Sequence, residues 1–155
     1  CNVANARQIE VWVEEIRAAT GAERIDLVAH SMGGLSGRAY LKNLGGTSRV
    51  GTFASIGTMH HGLSLPCRSP LGVCVWEEMC RRGAFVENLS RPPVTPGPTR
   101  WVSIYSTDDE TVPADGATLE GAENIEFNNL THSGPQGLLE APEVMNEIER
   151  VLLYP

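Results

Sequence analysis

Apolar positions along the chain follow two spacings in turn. Ile9, Val13 and Ile16 recur at helical intervals, with Glu10, Glu14, Glu15 and Arg17 on the other faces. The first segment is therefore expected to be an amphipathic helix, capped by Asn2 or Asn5 and stopped at Gly21. Arg24-Ile25-Asp26-Leu27-Val28-Ala29 is a short apolar run, too short for a helix, and reads as a largely buried strand. Met32 to Asn43 reads as a second helix, ended by Gly45-Gly46. Val50 to Ile56 reads as a strand despite Gly51. Trp101 to Tyr105 is a third strand, rich in aromatic and β-branched residues. Ile125 to Phe127 is a weak fourth. Pro142 suits a first helical turn, and Val144, Ile148, Val151 and Leu152 form one face of a last helix.

Strands that alternate with helices predict the α/β class, with a parallel sheet between helical layers. Residues 57–99 break the rhythm. They hold three cysteines, a short helix near Trp76 to Met79 and the turn-rich stretch from Arg91 to Pro98. A loop of that length is expected to be functional or cross-linked. Its apolar residues Leu63, Leu65, Leu71, Val73 and Trp76 either face lipid or form a local mini-core under the loop. The mini-core is the simpler reading.

Composition narrows the choices. A chain of 155 residues predicts one domain. No apolar run reaches the ~18–20 residues of a membrane span, so no transmembrane segment is expected. Twelve basic against nineteen acidic residues give a net charge of −7. That balance lacks the basic field a nucleic-acid binder needs. Cys1, Cys67, Cys74 and Cys80 show no C-x-x-C pair, which argues against a zinc site. Two disulfides and an oxidising compartment are expected instead. Their short spacing suggests Cys67 with Cys74, leaving Cys1 with Cys80, one of three connectivities.

The candidate chemistry starts at Ala29-His30-Ser31-Met32-Gly33-Gly34, at a strand-to-helix junction. A serine on so tight a turn needs small residues two positions before and two after it, and Ala29 and Gly33 supply them. The turn would lift the Ser31 hydroxyl above the sheet edge. The backbone N–H of Met32 would then point at a developing oxyanion. The bland alternative is an ordinary N-cap serine. A nucleophile needs a base, and the base an orienting carboxylate. His132, in the loop before the last helix, is the one histidine downstream of the later strands. His30 lies inside the turn and is expected to pack or hydrogen-bond. His60 and His61 either line the site or serve the loop they sit in. The acid should follow the third strand, where Asp108, Asp109 and Glu110 all stand. A valine three positions on, Val112, favours Asp109 over the runner-up Asp108.

With Ile25 to Gly34, Ser103-Ile104-Tyr105-Ser106, Asp109 with Val112, and His132 with Gly137-Leu138-Leu139, the chain resembles the α/β-hydrolase superfamily. More narrowly it resembles the small secreted bacterial lipases of the class 2 lipase family. The resemblance covers nearly the whole chain and is weak from Leu63 to Pro98. It implies a secreted carboxylic ester hydrolase acting on acylglycerols or other acyl esters, at a lipid–water interface, with no metal or other cofactor. It implies Ser31, Asp109 and His132 as catalytic residues. In that family a strand ending in His-Gly comes first, and the loop after it gives the other oxyanion N–H. No such segment precedes Asn2. Residues 1–155 are thus expected to be a single domain, the C-terminal three-quarters of the family domain, with an incomplete sheet of about four strands. The N-terminal remainder of the same protein would be its partner. On this view the strand at Arg24 to Ala29 exposes an unpaired apolar edge. The loss of one oxyanion donor typically costs ~2.7–4 kcal/mol in the transition state. The chain alone is then expected to be poorly soluble and nearly inactive. Other readings are a different serine acyl hydrolase (thioesterase, phospholipase or polyester depolymerase) or an inactive fragment or binding module that keeps the triad.

Overall fold

The computed structural model describes residues 1–64, 67–69 and 71–154. Helix α1 runs over Asn2–Thr20, strand β1 over Ile25–His30, helix α2 over Met32–Asn43 and strand β2 over Val50–Ile56. After a long excursion come β3 at Arg100–Ser106, β4 at Glu123–Phe127 and α6 at Pro142–Leu153. The excursion carries two short helices, α3 at Cys74–Met79 and α4 at Ala84–Ser90, and one turn of helix, α5 at Ala114–Ala117, follows β3. The four strands lie in the order β1-β2-β3-β4, and every neighbouring pair is parallel. This is the α/β class with helices on both faces of the sheet.

The alternation of side chains along β2 and β3 builds the three layers. Phe53, Trp101 and Tyr105 face one core, shared with Val13 of α1 and Leu35, Ala39 and Tyr40 of α2. Ala54, Ile56, Val102 and Ile104 face the other, closed by Val144 and Val151 of α6. Successive strand residues point to opposite faces, so one short strand serves both cores. Apolar runs in β2 and β3, buried on both sides, are what central parallel strands require.

β1 is an edge strand and pairs only with β2 among the described residues. Its outer side is open: Val28 is 41% exposed, and Trp12 and Ile16 of α1 are 55% and 46% exposed. These three line an apolar cavity of about 530 Å³ between α1 and β1.

Local details differ from the sequence reading. Cys1, not Asn2 or Asn5, is the N-cap of α1. Asn2 is buried inside the helix, where its Oδ1 accepts from Ser36 Oγ at 2.6 Å. An internal partner on α2 thus replaces the capping role. Helix α4 was not expected. Its short sequence, Ala84–Ser90, buries only Val86 and Leu89 and carries no helical period long enough to read.

The disulfides are Cys1–Cys74 and Cys67–Cys80, which corrects the expected pairing. The Arg81 N–H donates to the Leu63 carbonyl and the Leu63 N–H to the Met79 carbonyl, which folds Cys80 back beside Cys67. Cys74, at the other end of α3, meets Cys1 at the start of α1. The Asn2 N–H donates to the Glu78 carboxylate at the same contact. By chain entropy the cross-link spanning 73 residues is worth roughly 4 kcal/mol and the one spanning 13 roughly 3. The excursion is also held from α2. Arg38, 1% exposed, donates to the carbonyls of His60 and Leu89 at 2.9 Å each. Lys42 donates to those of Leu89, Arg91 and Pro93. Burial lowers the Arg38 guanidinium to about 10, so it stays charged at neutral pH. The apolar side chains of the excursion divide. Leu63 packs against the core, while Leu71 is 87% exposed and Val73 46%. Leu65 lies outside the described residues.

Candidate active site

Ser31 sits between β1 and α2 with φ 54° and ψ −130°, a conformation rare for a residue with a side chain. Such strain costs on the order of 1–3 kcal/mol and persists only where neighbours enforce it. Here the Ser31 N–H donates to the Ile56 carbonyl at 2.8 Å, and Thr58 Oγ1 donates to the Ser31 carbonyl at 2.9 Å. Both restraints come from β2 and the turn after it. Met32 is the first residue of α2, so its N–H has no carbonyl one turn back to receive it.

The small residues around the turn matter in an unexpected order. A Cβ on Gly33 would lie 3.9 Å from the Ala29 Cβ, an ordinary contact. A Cβ on Gly34 would come within 2.8 Å of the Thr58 Cβ. The tight position is therefore Gly34, packed on the residue that holds the Ser31 carbonyl.

Ser31, Asp109 and His132 converge, although 101 residues separate the serine from the histidine. His132 Nε2 lies 2.8 Å from Ser31 Oγ, and its Nδ1 2.8 Å from Asp109 Oδ2. The other Asp109 oxygen accepts the backbone N–H groups of Thr111 and Val112, both at 2.8 Å. Val112 is fully buried and anchors the turn that carries Asp109. Asp109 is 7% exposed. The neighbouring acids reach the same loop through its backbone. Asp108 Oδ2 accepts the Asn129 N–H at 2.8 Å, and Glu110 Oε2 accepts the His132 N–H at 3.0 Å. That bond holds the Glu110 carboxyl below its ordinary value.

Gly57 is a site residue the sequence did not reveal. Its φ is +52°, and a Cβ there would lie 3.2 Å from His132 Nδ1 and 3.3 Å from Asp109 Oδ2. Its only signal in the sequence was a glycine directly after a strand. The remaining histidines separate. His30 stacks on His132 with ring centroids 4.8 Å apart. His60 is fully buried and pairs its Nε2 with Ser55 Oγ at 2.9 Å, so it supports the core and not the site. Burial pushes its imidazole well below its ordinary value, with Arg38 adding to the shift. His61 is half-buried, and burial lowers it too.

A parallel sheet between helical layers, with a strained serine where a strand enters a helix, defines a protein of the α/β-hydrolase fold. A family profile described as "alpha/beta hydrolase fold" matches residues 5–72. Among solved structures, the mature form of a Bacillus licheniformis lipase superposes with a TM-score of 0.70 at 17% identity, over 95% of this chain and 74% of that one. Aspergillus fumigatus lipase B gives 0.67 at 21% identity, over 81% of this chain and 34% of the other. A 2-hydroxy-6-oxo-6-phenylhexa-2,4-dienoate hydrolase from Rhodococcus gives 0.59 at 18% identity, over 92% and 69%. The chain thus spans about three-quarters of the mature Bacillus lipase and about a third of the Aspergillus enzyme. At these identities the likeness carries the fold.

Proposed function

We propose that this protein is a serine hydrolase of carboxylic esters, of the lipase or esterase kind, working through an acyl-enzyme. The observation that carries the reading is the chain of two 2.8 Å contacts from Ser31 Oγ through the His132 ring to Asp109. In this reading His132 Nε2 takes the Ser31 proton as Oγ attacks the ester carbonyl carbon. Asp109 keeps the ring proton on Nδ1, which leaves Nε2 free to act as base. The Met32 N–H donates to the oxyanion. His132 then returns the proton to the leaving alkoxide, activates a water against the acyl-serine, and the acid departs.

The lipases named above share the fold. The exposed Leu71 and Val73 give the cross-linked excursion an apolar surface suited to a lipid–water interface. The two disulfides fit a secreted protein. Residues 1–155 act as one domain in this proposal, since β2 and β3 contribute to both cores, one of which reaches to α1 and the other to α6.

The test is covalent labelling with a p-nitrophenyl alkylphosphonate, read by intact mass and peptide mapping. One adduct on Ser31 is expected, and none in Ser31→Ala. An adduct that persists in Ser31→Ala would sink the proposal. Esters of increasing acyl length, dissolved and emulsified, would then separate esterase from lipase behaviour.

A further inference from the structure

The peptide units on both sides of His132 are gripped by side chains from two distant elements. Glu110, in the loop after β3, accepts the His132 N–H at 3.0 Å. His30, the last residue of β1, brings Nε2 to 3.3 Å from the His132 carbonyl. The His30 ring also lies against the His132 ring, tilted by 33°. A carbonyl only accepts, so His30 must present an N–H there. Burial, and then the neighbouring His132, lower the His30 imidazole, which keeps it in the neutral form. Asp108 steadies the same loop three residues earlier, through the Asn129 N–H.

We propose that Glu110 and His30 are positioning residues that clamp the backbone of His132 from opposite sides and so set the height of its imidazole over Ser31. The loop that carries His132 is closed on itself by the Thr131 N–H to the Gln136 carbonyl and the Leu138 N–H to the Thr131 carbonyl, but these bonds bypass the His132 peptide groups, whose partners are Glu110 and His30. With N–H and C=O both held, only the two side-chain torsions remain, and Asp109 and the His30 ring restrict those. A displacement near 1 Å would break the contact with Oγ, and misplacement on that scale costs roughly a hundredfold in rate. The inference rests on His132 serving as the base.

The 155-residue chain is compared with four variants: Glu110→Ala, Glu110→Gln, His30→Phe and Ser31→Ala. Two quantities are read: the phosphonate labelling rate, and the downfield NMR signal of the proton between His132 Nδ1 and Asp109. Gln keeps an oxygen that accepts the His132 N–H, while Ala does not. Phe keeps a ring against His132 but has no donor. Glu110→Ala and His30→Phe should each slow labelling by roughly tenfold to a hundredfold. Both should broaden the Nδ1 proton signal, and Glu110→Gln should retain both properties. Wild-type rate and signal in Glu110→Ala and His30→Phe would overturn the clamp. So would a Glu110→Gln variant as impaired as Glu110→Ala, because charge and not the hydrogen bond would then be at work. If the wild type takes no label at Ser31, the hydrolase reading fails, yet the NMR signal still tests the clamp.

Discussion

Asp109→Asn changes one atom and almost no volume, so its consequence can be worked from hydrogen-bond geometry alone. In the native protein one carboxylate oxygen faces the N–H groups of Thr111 and Val112, and the other faces His132 Nδ1. An Asn side chain has one acceptor and one donor end. If its oxygen stays with the two backbone N–H groups, its NH2 faces Nδ1. The imidazole must then carry its proton on Nε2, towards Ser31, and cannot act as base. If the amide flips to rescue Nδ1, both backbone N–H groups face a donor. Leaving the buried Val112 N–H unpaired costs roughly 1–3 kcal/mol, and the part-buried Thr111 N–H adds to that. The flip is therefore disfavoured, and the unproductive tautomer dominates. A wrong tautomer of this kind lowers turnover about 10⁴-fold, or ~5 kcal/mol of barrier. The assay is the phosphonate labelling rate, with p-nitrophenyl ester hydrolysis alongside, for Asp109→Asn and Asp108→Asn. Asp108→Asn keeps an exposed acceptor for the Asn129 N–H and should lose less than about tenfold. The reasoning is refuted if Asp109→Asn stays within tenfold of the wild type, or if Asp108→Asn falls as far.

Two further outcomes are expected. Gly34→Ala should lower stability by about 1–3 kcal/mol through overpacking against Thr58, whereas Gly33→Ala should be neutral or gain up to ~1 kcal/mol of helix propensity. Urea midpoints of the two variants check the order, and equal midpoints would contradict it. His60 is neutral in the core, with its folded value well below the ordinary 6.5. The unfolded chain then binds the extra proton first, so the His60 contribution is complete above pH 6.5 and is lost as the pH falls below it. Urea titrations between pH 5 and 8 should show a weaker acid decline for His60→Gln than for the wild type, and an unchanged decline would rule His60 out as a source.

Much of the fold was legible because local patterns are strong where burial is two-sided. The spans of α2 and β2 coincide with the sequence reading, and β1, β3 and α6 differ at their ends by a residue or two. Of the excursion, the short helix near Trp76 to Met79 was legible and is α3, while the pairing of its cross-links was not. The turn that folds Cys80 onto Cys67, and so decides the disulfides, depends on contacts between Leu63, Met79 and Arg81 that leave no periodic trace. The same holds for Gly57, whose importance lies in what stands opposite it and not in its neighbours in sequence.

At the site, the sequence by itself determined which residue types stand at the strand-to-helix turn, after the third strand and before the last helix. Sterics and chain order restrict those places severely. Of three successive acids it favoured Asp109 through the valine three positions on, with Asp108 the runner-up, because spacing alone measures only distance along the chain. The tertiary structure gave each a separate partner on one loop: a backbone N–H for Asp108, the imidazole for Asp109, another backbone N–H for Glu110. That division depends on the direction each side chain takes from a turn fixed by the buried Val112, and direction is set by packing across the fold.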